Sequence, residues 1–299
     1  MLEIEGLTKR FGKKAALDHM TCHIENGSIF GLVGSNGSGK STLLRTIAGI
    51  YQPDGGMVKW NGMPTFEHVA CKGSMFFVPD FPYFFYQATI YRMADFYKKL
   101  YPGWDPARFE ELCGLFPLER DLRISSMSKG MQRQAALILA LSTRPELLLL
   151  DEVFDGLDPV VRQLLKRLLA QEVGERGMTI VIASHNLREL EDLCDHVGLL
   201  HKGGVVFERE LDELKLGIHK IQAAYMPELP ADALEGLDVV KQDKRGSLYS
   251  FVIRGQREEI LEKLNALGPV FIEALPLTLE EVFISEMEVV GYDIDHIIR

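Results

Sequence analysis

The nine residues Gly34-Ser-Asn-Gly-Ser-Gly-Lys-Ser-Thr42 constrain this chain more than any other stretch. They follow the apolar run SIFGLVG and precede LLRTIAGI, whose apolar residues recur at helical spacing. Strand, glycine-rich loop and helix in that order make a phosphate pocket. The glycines let backbone N–H groups turn inward, and the helix start adds its positive dipole end. In that context Lys40 meets the β and γ phosphates of a nucleotide and Ser41 is placed to ligate Mg²⁺. Gly34, Ser35, Asn36, Gly37, Ser38, Gly39, Lys40, Ser41 and Thr42 are therefore candidate nucleotide-binding residues.

Three further groups stand at the ends of expected strands, where ligands collect in open α/β sheets. PELLLLDEVF, bounded by Pro145, is too short for a helix of its own and reads as a buried parallel strand ending in Asp151 and Glu152. Asp151 suits Mg²⁺ or its water shell, and Glu152 suits orienting or deprotonating the water that attacks a γ-phosphate. His185 follows the strand MTIVIAS and can donate a hydrogen bond to that phosphate. Asp80 follows SMFFVP, where it can approach Mg²⁺ or merely cap the next helix.

The rest of the chain supplies the frame. Residues 2–30 read as an antiparallel opening with turns at Gly12 and at Asn26-Gly27. From about residue 80 to 141 the composition shifts to helix, which predicts a helical insert. Beyond it, strands and helices alternate, as in a mostly parallel sheet covered on both faces. Past residue 216 the pattern changes to a small α+β unit, with a turn at Lys244 to Gly246 and a helix at REEILEKLNALG. The expected domains are therefore 1–216 and 217–299. In SSMSKGMQRQ, Ser128 precedes a helix-prone run, so it can cap that helix, and the N–H groups behind it form an anion site.

Composition narrows the partners. The 299 residues are 46% hydrophobic and 25% charged, ordinary for a globular protein, and the net charge of −10 opposes a broad grip on nucleic acid or an anionic membrane. No stretch approaches the roughly 20 apolar residues that span a bilayer, so no direct membrane insertion and a cytoplasmic location are expected. Cys22, Cys71, Cys113 and Cys194 have no paired spacing, which favours buried small hydrophobes over zinc or disulfides.

Taken together, these motifs over about residues 1–215 resemble the ATP-binding cassette (ABC) family, specifically the separate ATPase subunit of a transporter. Gly34 to Thr42 resembles the Walker A loop, Leu147 to Glu152 Walker B with its catalytic glutamate, and Asp155 to Asp158, DGLD, the D-loop. His185 matches the switch histidine and Phe11 the aromatic that stacks on adenine. MSKGMQ stands where the family has its LSGGQ signature, keeping Ser128, Gly130 and Gln132 and departing at Lys129 and Met131. Asp80 departs from the usual glutamine, which puts coupling to the membrane partner in question more than ATP binding.

The resemblance implies a P-loop NTPase cassette that hydrolyses ATP with Mg²⁺ in a head-to-tail homodimer or heterodimer. In that arrangement Ser128 and Gly130 of one copy face the nucleotide of the other. It also implies separately encoded membrane permease subunits, peripheral attachment through them, and a permease-docking role for the aromatics Phe81, Tyr83, Phe84, Phe85 and Tyr86, which otherwise read as core. TLEEVF, Thr278 to Phe283, resembles a stretch of exporter-type subunits. Two alternatives stay open: a soluble cassette ATPase acting on ribosomes or DNA, and a nucleotide-binding regulatory module with little turnover.

Overall fold

The computed structural model describes residues 1–211, 217–226, 228–230 and 233–283. The chain divides into two compact units, Met1–Glu208 and Arg209–Arg299.

The larger unit runs β1 (Leu2–Phe11), β2 (Lys14–Ile24), β3 (Ile29–Val33), α1 (Lys40–Ile47), β4 (Gly55–Trp60), β5 (Met63–Pro64), α2 (Val69–Gly73) and β6 (Met75–Val78). It continues with α3 (Ile90–Leu100), α4 (Pro106–Leu115), α5 (Lys129–Ser142), β7 (Leu147–Asp151), α6 (Pro159–Arg176), β8 (Thr179–Ala183), α7 (Leu187–Glu191), β9 (His196–His201) and β10 (Gly204–Glu210). The opening strands form an antiparallel sheet ordered β2-β1-β4-β5. The turn at Asn26-Gly27 leads from β2 out of this sheet into β3, with Gly27 at φ 71°, a left-handed angle that glycine takes without strain.

A six-stranded sheet ordered β10-β9-β3-β8-β7-β6 forms the centre. β3 lies parallel to β8 and β9, and β7 lies parallel to β8 and β6. Every residue of β3, β7 and β8 is buried, which is why these strands are near-continuous apolar runs and not alternating ones. The register aligns Leu32 with Ala183, Asp151 with Ala183 and Val78 with Leu150. Four strand ends therefore open onto one edge, carrying Gly34, Asp80, Asp151 and His185.

The helical insert is tied to this body by one buried carboxylate. Glu172 on α6 is 2% exposed and faces three arginines. Its Oε1 lies 2.7 Å from Arg108 of α4 and 3.3 Å from Arg144, while Oε2 pairs with Arg176. A carboxylate so enclosed is stable only because its partners replace the lost water.

α7 is shorter than the run NLRELEDLCD predicts. The N–H groups of Leu193 and Cys194 close onto Leu190 O, and Asp195 Oδ2 accepts from Ile29 N at 2.8 Å. Sheet anchoring thus ends a helix that its residues could continue. The four cysteines are free and buried, and burial raises the Cys71 thiol to about 11.

The smaller unit contains β11 (Ile218–Ala224), β12 (Asp238–Arg245), β13 (Leu248–Arg254), α8 (Arg257–Ala266) and β14 (Phe271–Leu275). Its antiparallel sheet is ordered β12-β13-β11-β14, and Ile221, Ala223, Phe251 and Ile253 pack with Ile260 and Leu264 of α8. The expected turn before β13 has Gly246 at φ 63°. Thr278 and Glu281, within TLEEVF, bond each other reciprocally as a helix-start capping box.

Candidate functional site

The loop between β3 and α1 can be built only with glycine at two of its turns. A Cβ at Gly34 would lie 2.4 Å from Leu200 O, and one at Gly39, φ 116°, would lie 2.7 Å from Ala16 O. Lys40 is buried, with Nζ donating to Gly34 O at 2.6 Å and Ser35 O at 3.3 Å. Burial lowers its pKa, and the nearby Glu152 and Asp151 act against that shift. A cation held this way gains most from a polyanion brought beside it.

A cavity of about 420 Å³ opens over the loop, lined by Phe11, Lys14, Ala16, the run Asn36 to Thr42, Asp80 and Glu152. Phe11 is 49% exposed, and its ring meets Tyr51 edge-on at 5.3 Å, so a flat apolar face stands at the cavity rim. Lys14 was missed by sequence reasoning, because a lysine in a strand-forming run gives no motif signal.

Ser41 Oγ donates to Asp151 Oδ1 at 3.0 Å, joining α1 to the end of β7. Asp151 Oδ2 and Ser38 Oγ are buried without a hydrogen-bond partner. Burial pushes the Asp151 carboxyl up, reinforced by Glu152 and Asp80 and opposed by Ser41 and Arg45. An acidic oxygen left in this condition fits a divalent cation, and Ser41 with Asp151 would hold it.

Glu152 takes φ 51°, an unusual angle for this residue type, fixed by its N–H donating to Ala183 O at 2.9 Å. Its Oε2 lies 2.8 Å from His185 Nδ1 and also accepts from His185 N at 3.3 Å. The hydrogen bond to Glu152 raises the His185 pKa. An imidazolium donates from both ring nitrogens, so this histidine can hold Glu152 through Nδ1 and still donate from Nε2.

Asp80 does not cap the following helix, whose N-cap is Thr89. Its carboxylate pairs with Arg133 of α5. Ser128, Gly130, Gln132 and Asp158 do not line the cavity. Ser128 is exposed and caps α5 by accepting from Met131 N, while Gln132 Nε2 donates to Met127 O at 3.0 Å. Asp158 caps α6, accepting from Val160 N and Val161 N. Gly130 is buried, and a Cβ there would lie 2.4 Å from Gly156 O in the DGLD turn. Phe81, Tyr83, Phe85 and Tyr86 are exposed and Phe84 is half-buried, so most of this aromatic run is surface and not core.

Strand, glycine-rich loop and helix, with a lysine and a serine lining one cavity and a strand-end aspartate bonded to that serine, define the larger unit as a P-loop NTPase cassette. A family model described as ABC transporter matches residues 17–155. The ABC transporter ATP-binding protein YtrB of Bacillus subtilis (strain 168) is 33% identical over 286 residues, covering 96% of this chain and 98% of that protein. The bacitracin transport ATP-binding protein BcrA of Bacillus licheniformis is 31% identical over 221 residues, covering 72% of this chain and 71% of that protein. Among solved structures, an ATP binding subunit of an ABC transporter superposes with a TM-score of 0.67 at 26% identity, covering 72% of this chain and 92% of its own. A dimeric cassette, MJ0796, bound to ADP and Pi shares the fold, with a TM-score of 0.64 at 23% identity over 71% of this chain and 99% of its own. The chain belongs to the ABC transporter ATP-binding family and is an ATPase of that type.

Proposed function

We propose that this chain hydrolyses ATP with Mg²⁺ in a head-to-tail dimer, driving a separately encoded membrane permease. Lys40, Ser41 and Glu152 line one cavity, with Asp151 bonded to Ser41 and His185 to Glu152 behind them, and this cluster carries the reading. Lys40 and the N–H groups of the loop bind the β and γ phosphates, and Phe11 supports the adenine. Ser41 and Asp151 would hold Mg²⁺, which when bound would supply charge neutralisation at the phosphate oxygens. Glu152 orients the attacking water and takes its proton, while His185 steadies Glu152 through Nδ1 and donates to the γ-phosphate through Nε2.

Ser128 and the backbone of Gly130, together with Gln132 and Asp158, serve the nucleotide of the second copy. Exposed Ser128 at a helix start supports this, since its neighbouring N–H groups suit an anion. No helix among the described residues is long and apolar enough to cross a membrane. Attachment to the inner face of the cell membrane runs through the permease in this reading. The exposed aromatics Phe81, Tyr83, Phe85 and Tyr86 suit that contact. TLEEVF supports export as the direction.

The test is Glu152→Gln. ATP binding should persist, turnover should stop and an ATP-bound dimer should accumulate, read by phosphate release and size-exclusion chromatography. Hydrolysis at the unmodified rate would remove Glu152 from this role.

A further inference from the structure

Asp80 brings another carboxylate to a cavity that already has Asp151 and Glu152 beside it, a costly arrangement for binding a polyphosphate. The group that offsets it is Arg133, 8% exposed on α5. Its guanidinium donates to the Asp80 carboxylate, to Asp80 O at 3.3 Å and to Asp155 O in the DGLD turn. Arg133 does not line the cavity, so its charge acts through Asp80 and not on the substrate directly.

The neighbouring turn of α5 repeats these connections. Lys129, four residues earlier on the same helix face, places Nζ 5.8 Å from the centre of the Phe81 ring. Gly130 rests against Gly156 O. The start of α5 is thus fastened twice to the segment after β6 and twice to the DGLD turn.

We propose that Arg133 is a positioning residue that masks the Asp80 charge from bound ATP and clasps three segments, the stretch after β6, the first turns of α5 and the DGLD turn, into one unit. This rests on the cavity being the ATP site, which ATP binding by the unmodified protein tests separately. A planar five-donor fork can serve a carboxylate and two carbonyls together, whereas a lysine ammonium at this position can neutralise Asp80 but not span all three.

The experiment uses the full chain and a double-mutant cycle of Arg133→Met, Asp80→Asn and the pair. Binding of a fluorescent ATP analogue in EDTA reads the anion site without metal or turnover. Arg133→Met should weaken binding on the order of tenfold, the effect of one unmasked charge at an effective dielectric near 20. The double variant should recover to within about threefold of the unmodified protein. Arg133→Lys, which carries the test if Arg133→Met does not fold, should keep ATP affinity and lose kcat several-fold, because the mask survives and the clasp does not. The proposal is overturned if Arg133→Met binds normally, if the double variant loses the product of the single losses, or if Arg133→Lys loses affinity.

Discussion

The contact between His185 and Glu152 joins two strand ends, with the ring Nδ1 and the backbone N–H of His185 both meeting Glu152 Oε2. Because Glu152 raises the His185 pKa, the pair's contribution to stability is fully present below the ordinary histidine value of 6.5 and is lost as pH rises through the raised value. His185→Gln should therefore lower Tm most near pH 6, with the difference shrinking towards pH 9, as followed by thermal unfolding across that range. A constant difference at all pH values would mean that the ring contributes packing and not charge. The left-handed angle of Glu152 points the same way, since a residue held at φ 51° is kept there by its surroundings.

Among elements, the helical insert depends on Glu172 more than on its own packing pattern suggests. Glu172→Ala would leave Arg108, Arg144 and Arg176 around a hole that had held their shared carboxylate. A loss of about 3–5 kcal/mol is expected, measured by urea unfolding at neutral pH. A loss below about 1 kcal/mol would place the arginines in water and not against Glu172. Such contacts explain which parts of the molecule the sequence reveals. The phosphate loop and the strands β7 and β8 are legible because their chemistry or apolar pattern is local. Arg133 is not, since its partners lie 53 and 22 residues away and nothing near it in sequence distinguishes it from a surface helix residue. The early end of α7 was hidden for the same reason, because Asp195 is recruited by β3 from across the chain.

At the scale of the whole molecule, the signature stretch has one role inside the chain and another proposed for a partner. Ser128→Arg should spare nucleotide binding by the monomer and abolish ATP-driven dimerisation, checked by light scattering with Glu152→Gln as background. Unimpaired dimerisation would leave Ser128 as the cap of α5 alone. The frame around it was largely legible as a succession of strands and helices along the chain, because each follows from period and turn chemistry, whereas the order of the strands within each sheet was not. The side-chain wiring between loops was not, because it exists only after folding.

Gly130 and Ser128 are two residues apart yet face different selection. Gly130 is fixed by a carbonyl of its own chain, so a substitution harms the protein as soon as it folds, with or without a partner. Ser128 is exposed, with one local bond to satisfy that several other residues could also satisfy. In a lineage released from ATP turnover, mutation would erase the serine and leave the glycine standing, a fossil of the fold and not of the activity.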